Sequence, residues 1–317
     1  MMNILVTGGA GFIGSNLVDK LLDLGHKVTV IDSFSPFYNV AIKRKNLERA
    51  LQYDTFNLYE VDIRDHENLS EIFVLNDFEV VVHLAAKAGV RPSIRIPRPY
   101  FDVNVNGTIN ILEECKIHKI KKVVWASSSS VYGNNKSVPF KETDSVDYPI
   151  SPYAASKKAG ELVCHNYHHL YGINIFALRF FTVYGKRNRP DMGMYKFAKA
   201  IQEGKTIQLY GNGEPRRDFT YVDDILDGVI KSIEKVNGFE IINLGESHVI
   251  SVNELVALFE KKMGKKAITQ KFDMQPGDVL ETYADISKAK RILGYNPSTP
   301  IEAGIEKMLE WFVGESS

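Results

Sequence analysis

A tyrosine followed four residues later by a lysine occurs three times, at Tyr132/Lys136, Tyr153/Lys157 and Tyr195/Lys199. One helical turn apart, the two side chains share a face, and the ammonium favours the phenolate, a pairing suited to moving a proton on or off a hydroxyl. Context separates the three. Tyr132 runs into Gly133-Asn134-Asn135, a turn, and Tyr195 has no strand-end Ser or Thr shortly upstream. Tyr153-Ala154-Ala155-Ser156-Lys157 has both a helical setting and an upstream hydroxyl at Ser128.

A second pattern, Thr7-Gly8-Gly9-Ala10-Gly11-Phe12-Ile13-Gly14, follows an apolar run and opens a helical one. Glycines at 8, 11 and 14 stand where a backbone must approach a pyrophosphate without side chains in the way, and the helix start offers free N–H groups to the phosphates. Asp32 ends the next apolar run, where a carboxylate accepts from adenosine ribose hydroxyls and repels a 2′-phosphate. With Ser33 next and no Arg immediately after, these residues predict NAD rather than NADP. Asp62 and Ile63 are candidates to flank the adenine, and an Asp in that place also forms turns.

The elements that must hold these residues are legible as periodicity. Short β-branched runs at Ile4–Val6, Val28–Ile31, Val80–Val82, Val123–Ala126 and Ile175–Leu178 alternate with helical spacing near 12–24, 67–76, 99–118 and 152–171. Continuous apolar strands separated by helices predict an α/β fold, a doubly wound parallel sheet covered on both faces. After about residue 180 the chain breaks into Gly, Pro and charged segments, with short helices near 251–262 and 301–312, which predicts a smaller second α/β unit. No internal repeat is present, and Ser127–Ser130 is the one low-complexity tract.

The 317 residues are 44% hydrophobic, with 39 Lys+Arg against 39 Asp+Glu. That balance excludes disorder and argues against a nucleic-acid or acidic-membrane partner reached through bulk charge. No apolar run approaches the ~20 residues of a spanning helix, and the first apolar segment is too short and too early for a signal peptide, so a cytoplasmic protein is expected. Cys115 and Cys164 have no metal-type spacing and read as buried small hydrophobes. His165 and His169 lie at i and i+4 but lack the Glu of HExxH and a third ligand, so no metal site is predicted. Lys43, Arg44 and Lys45 read as a solvated helix face.

Taken together, TGxxGxxG at 7–14, His83-Leu84-Ala85-Ala86, Asn104, the Ser tract before Val131-Tyr132-Gly133, and Tyr153/Lys157 resemble the extended short-chain dehydrogenase/reductase family over nearly the whole chain. The resemblance implies that Ser128 hydrogen-bonds the reacting sugar oxygen, that Tyr153 is the acid/base, and that Lys157 is its electrostatic partner and a ligand of the nicotinamide ribose. It places Ala85 beside the cofactor. Arg217, near Tyr210-Gly211-Asn212-Gly213, looks like the family's grip on a nucleotide diphosphate, and Asp278 looks like the residue that holds the nucleotide ribose. On this basis residues 1–180 plus about 219–245 form an NAD-binding Rossmann-like part, and about 181–218 plus 246–317 a nucleotide-sugar-binding part. The helices near 99–118 and 152–171 match the family's dimer-forming pair, so a homodimer is expected.

Which reaction follows is read from what is missing. Family members that dehydrate a sugar carry Asp-Glu immediately after the catalytic Thr or Ser, and decarboxylating members carry a Glu just before Val-Tyr-Gly; here those positions are Ser129 and Ser130. Without a carboxylate to take the C5 proton or assist loss of CO₂, an oxidised 4-keto sugar can only take its hydride back, and ring rotation before the return gives the C4 epimer. The finer signature, Arg179 to Gly185 with Arg189-Pro190-Asp191-Met192 and Met274-Gln275-Pro276-Gly277-Asp278, resembles the UDP-glucuronate 4-epimerase subgroup. Thr182, Ser128, Ser129 and Ser130 would then surround a sugar carboxylate with neutral donors. Arg189 either adds charge there or orders its loop. Arg91 is a further candidate phosphate or sugar contact. Lys87 departs from the Gln expected in the subgroup, which either weakens the glucuronate reading or supplies a cation for the carboxylate. The nearest alternatives are UDP-glucose or UDP-N-acetylglucosamine epimerisation, and a non-catalytic NAD or nucleotide sensor.

Overall fold

A computed structural model describes residues 1–316. Its main sheet begins with β1 (Asn3–Thr7), β2 (Lys27–Ile31), β3 (Phe56–Tyr59), β4 (Val80–His83), β5 (Lys122–Ser128) and β6 (Asn174–Phe180). The chain then forms β7 (Thr182–Tyr184), β8 (Thr206–Tyr210) and β9 (Arg216–Tyr221), and returns with β10 (Phe239–Leu244) to the edge of the main sheet. Three short strands follow, β11 (Val249–Ser251), β12 (Ile268–Phe272) and β13 (Glu281–Thr282).

The main sheet is parallel throughout, in the order β10-β6-β5-β4-β1-β2-β3. Leu5, Val81, Val123 and Ile175 pack on one face and Ile4, Val82, Val124 and Phe176 on the other, so the middles of these strands are apolar on both faces. From β1 the chain winds outward to β3 and then back to β4 on the opposite side. This reversal between β1 and β4 opens a crevice at their C-terminal ends, where doubly wound sheets bind ligands. The two strands are tied there by Thr7 Oγ1 and His83 Nδ1 at 2.6 Å, and His83 Nε2 meets Thr108 Oγ1 at 3.1 Å.

The expected helix over 99–118 is broken into Arg98–Phe101, a wide π turn over Asp102–Asn106, and Gly107–Ile117, and a short helix Val90–Arg95 precedes it. The π turn carries buried Asn104, whose amide accepts from the Lys87 N–H and donates to the Lys87 carbonyl and to Ser156 Oγ. A regular helix would not keep that side chain in register with the loop after β4. The helix Pro152–Tyr171 is better delimited by its sequence: Ser151 caps it by accepting from the Ala154 N–H, Pro152 sits at its first position, and Gly172 ends it in the left-handed conformation.

Beyond the main sheet, β9 pairs with β7, β11 and β13, and β8 with β12. Asp218 of β9 is fully buried and accepts from the backbone N–H groups of Glu246, Ser247 and Ala284, joining three segments. Burial pushes its carboxyl up to about 6, and burial together with Asp224 and Asp218 pushes the Glu246 carboxyl up to about 7. Between about pH 4.5 and 7 the native state therefore holds a proton at Glu246 that the unfolded chain has released, so stability falls as pH rises through this window. Glu246→Gln removes that penalty and is expected to raise the melting temperature at pH 8 by about 2–4 °C while changing it little at pH 5, read by calorimetry at both pH values.

Candidate active site

Every residue expected at the cofactor lines one cleft over the β1/β4 crevice. Gly8 takes φ +73°, and a Cβ there would lie 2.7 Å from the Ala85 nitrogen. A Cβ on Gly14 would lie 2.2 Å from the Gly8 oxygen, whereas at Gly11 the nearest atom would be 3.3 Å away. The turn thus needs Gly8 and Gly14 for its own closure and presents Gly11 to the cleft. The helix Phe12–Asp23 starts at Gly11 with no side-chain cap, leaving the first-turn N–H groups for a phosphate. These features fit a dinucleotide.

At the far end of the cleft, Asp32 is held by the Ala10 N–H (3.1 Å) and the Phe34 N–H (2.8 Å). Its third partner is a lysine. Lys43 Nζ stands 3.7 Å from Asp32 Oδ1 and 5.1 Å from the Tyr38 ring, and its side chain is buried and lines the cleft. The solvated-face reading is therefore corrected for Lys43, though not for Arg44, which reaches outward to Glu60 at 2.9 Å. Helical charge spacing identifies a polar face but not which of its lysines lies over a neighbouring strand end. Asp62 is gripped by Arg64 at 2.8 Å, which lowers its carboxyl, and Arg64 also reaches Asp102 at 2.6 Å.

At the other end of the cleft the helix Pro152–Tyr171 presents Tyr153 and Lys157 to the end of β5. Burial raises the Tyr153 phenol, while the Ser128 hydroxyl and the charge of Arg189 draw it down. The ammonium expected to do this is engaged elsewhere: Lys157 Nζ donates to the Ala126 carbonyl at 2.7 Å and lies 4.8 Å from the Trp125 ring, and burial lowers it to about 8. Ser128 Oγ accepts from both the Ser130 N–H (3.2 Å) and the Ser130 hydroxyl (3.0 Å). With both lone pairs occupied, Ser128 is left to donate its own proton.

Ser129 and Ser130 lie in the short turn Ser129–Tyr132 and do not line the cleft, whereas Ser128, Thr182 and Arg189 do. Arg189 is paired fork to fork with Asp191, at 2.9 and 2.6 Å. Lys87 also lines the cleft, its main chain held by Asn104 and its ammonium 5.8 Å from the Phe37 ring. Among the described residues lining the cleft, the carboxylates are Asp32 and Asp62, both at the end remote from Tyr153.

A second cavity adjoins the first across the Arg189–Asp191 pair and is lined by Arg91, Arg217, Asp278 and Tyr210. Arg91 Nη2 meets Asp278 Oδ2 at 2.7 Å, and its guanidinium lies 4.2 Å from the Tyr210 ring. Arg217 donates to the Arg216 and Leu280 carbonyls, and burial disfavours its charge, with Arg91 adding to the effect. Two arginines over one carboxylate make a cavity suited to an anion.

The remaining candidates resolve as structure. Tyr132 is buried and donates to Asn243, and Tyr195 packs against Phe312. Cys115 and Cys164 are buried free thiols, and among the described residues no His/Cys/Asp/Glu group could hold a metal. No helix among them is long and apolar enough to cross a membrane.

Comparison with known proteins extends this picture. The chain is 44% identical to the UDP-glucuronate 4-epimerase of Thermodesulfobacterium geofontis, over 97% of this chain and 95% of that one. Its fold matches the crystal structure of UDP-glucuronic acid 4-epimerase from Bacillus cereus in complex with UDP-glucuronic acid and NAD, with a TM-score of 0.94 and 36% identity over 99% of this chain and all of that one. UDP-glucose 4-epimerase of Thermotoga maritima, with UDP-glucose, matches at a TM-score of 0.93 and 34% identity over the whole of both chains. The model of the GDP-mannose 4,6-dehydratase family matches residues 5–308, and with those glycine, serine and tyrosine–lysine positions around one cleft at the end of a parallel sheet the chain belongs to that family.

Proposed function

We propose that the protein is an NAD-dependent, redox-neutral 4-epimerase of a UDP-sugar, with UDP-glucuronate and UDP-galacturonate as its pair. The observation that carries the reaction is the reacting end of the cleft, which has a hydroxyl donor, a phenol and an ammonium but no carboxylate. Dehydration, the reaction in the family's name, needs a base for the C5 proton, and none of the described cleft residues near Tyr153 supplies one.

Gly8, Gly11, Gly14 and the helix start would hold the cofactor pyrophosphate, Asp32 the adenosine ribose, Asp62 and Ile63 the adenine, and Lys157 the nicotinamide ribose. Bound NAD supplies the hydride acceptor that oxidation at C4 requires. Tyr153 takes the proton from the sugar hydroxyl and returns it, and Ser128 donates to the same oxygen. Lys157 holds positive charge beside them. Arg217, with Arg91, binds the diphosphate, and Asp278 binds the nucleotide ribose. Thr182 gives a sugar carboxylate a neutral donor, with Arg189 as the adjacent cation, while the single proton of Ser128 stays on the reacting oxygen. In this reading Ser130 acts through Ser128, and Ser129 belongs to the turn that carries them. In the division into 1–180 plus about 219–245 and about 181–218 plus 246–317, the cofactor contacts fall in the first part and Thr182, Arg189, Arg217 and Asp278 in the second, with Arg91, Ser128 and Tyr153 reaching the nucleotide sugar from the first.

The experiment is incubation with UDP-glucuronate, with and without added NAD⁺, followed by proton NMR. Galacturonate signals are expected, and turnover without added cofactor shows that NAD copurifies. A pentose product would mean that the keto acid loses CO₂. No change in UDP-glucuronate with turnover of UDP-glucose or UDP-N-acetylglucosamine would keep the reaction and replace the substrate.

The same proposal includes a homodimer in the cytoplasm. The helical segments Arg98–Phe101 and Pro152–Tyr171 expose Phe101, Leu162 and Leu170, an apolar face that a second copy can cover. Light scattering is expected to give twice the 35.8 kDa chain mass, and Leu162→Glu to shift it toward one copy.

A further inference from the structure

Positions 153, 157 and 161 are four residues apart on the helix Pro152–Tyr171 and fall on one face. Each meets the end of β5. Tyr153 meets the Ser128 hydroxyl, Lys157 Nζ donates to the Ala126 carbonyl at 2.7 Å, and Glu161 Oε1 accepts from Ser127 Oγ at 2.6 Å. The strand end that carries Ser128 is therefore pinned to two successive helical turns immediately before it.

Glu161 is 2% exposed, and its two oxygens also accept from Nε and Nη2 of Arg179, each at 2.8 Å. Arg179 is 1% exposed and stands opposite Ser127 in the β5/β6 register, with its guanidinium 4.8 Å from the Tyr132 ring. A buried ion pair of this kind adds little stability over apolar residues of similar volume, so packing alone does not account for it.

We propose that Glu161 is a positioning residue for the acid–base pair: through Ser127 it fixes the strand end that presents Ser128, and from one helical turn beyond Lys157 on the same face it supplies the negative charge, braced by Arg179, that keeps the lysine charged. The proposal rests on the reading of Ser128, Tyr153 and Lys157 given above. Besides Glu161, the ionisable groups that act on the ammonium are Cys164 on its own helix and His83 on β4, with Tyr153 one helical turn away on the same face. Burial keeps His83 neutral, at about 3, and holds the Cys164 thiol protonated. Glu161 is thus the anion that offsets the desolvation of Lys157, and Arg179 is the cation behind it.

The test is the pH profile of kcat in the holoenzyme. In Glu161→Gln the alkaline limb is expected to move down by about one pH unit, which is about a tenfold loss on the alkaline side, with KM for the UDP-sugar changed by less than about threefold. Arg179→Met leaves the Glu161 charge unshared and is expected to move the limb up. Glu161→Gln/Arg179→Met removes both charges and is expected to bring the limb back to within about half a unit of the wild type. Ser127→Ala is expected to lower kcat without moving the limb. A limb that stays in place in the single variants, or a loss in Glu161→Gln that is the same at every pH, overturns the proposal. If Glu161→Gln does not fold, Arg179→Met and the double variant decide it by the same limb. Lys157→Met separates the two layers: an unchanged alkaline limb there would remove the acid–base reading itself, whatever Glu161 does.

Discussion

Tyr153→Phe is expected to fold, to keep its cofactor and to turn over UDP-sugar about 10²–10⁴-fold more slowly than the wild type. The substitution removes one oxygen. The ring stays edge-on to Tyr100, at 6.2 Å between centroids, and the backbone N–H of residue 153 still donates to Ser93 Oγ, so the helix keeps its contacts. What is lost is the group that takes the sugar proton while the carbon–hydrogen bond breaks. Ser128 cannot replace it, because both of its lone pairs already accept from Ser130. Lys157 cannot replace it either, since its ammonium is bound to the Ala126 carbonyl. The variant is measured by NMR turnover beside a melting curve and the copurified NAD content. Turnover within about threefold of wild type, with the fold intact, would show that the proton leaves by another group.

The cofactor turn was readable in the sequence because its requirement is local. The positive φ of Gly8 and the crowding at Gly14 arise within eight residues, and although Gly8 also backs onto Ala85, that distant contact is not needed to recognise the pattern. Tyr153/Lys157 needed one step more, since three such pairs exist and only the strand-end Ser128 and the helix separate this one from Tyr132/Lys136 and Tyr195/Lys199. Contacts between remote segments were not readable in the same way. Arg91 and Asp278 are 187 positions apart, and neither residue type nor spacing announces their pair. Lys43 was misread because a run of three basic residues has the same pattern whether its helix faces water or crosses the end of β2. Asn104 was recognisable as part of a motif, but the reason for it is a π turn, which periodicity cannot distinguish from the regular helix on either side. Ser130 shows the limit from another direction. Its type and place point to a ligand contact, whereas in the fold its hydroxyl is spent on orienting Ser128.

Two glycines of the cofactor turn are expected to separate stability from binding. In Gly14→Ala the new Cβ would lie 2.2 Å from the Gly8 oxygen and 2.8 Å from the Gly9 Cα, and both are backbone atoms that cannot rotate away. The helix Phe12–Asp23 must shift off the end of β1, at a cost of about 1–3 kcal/mol, so the melting temperature falls and the cofactor is lost with it. Gly11→Ala meets only the Gly8 oxygen, at 3.3 Å, and its φ of −74° suits any residue. The apoprotein is therefore expected to melt close to the wild type. Its methyl group nonetheless stands at the uncapped helix start, where the pyrophosphate must approach the backbone, so NAD affinity is expected to fall at least tenfold, about 1.4 kcal/mol. Calorimetric melting of the two apoproteins and titration with NAD⁺ distinguish the roles. Equal melting temperatures for both variants would mean that the turn relaxes around Gly14, and unchanged NAD affinity in Gly11→Ala would move the pyrophosphate away from this helix start and, with it, the whole placement of the cofactor in the cleft.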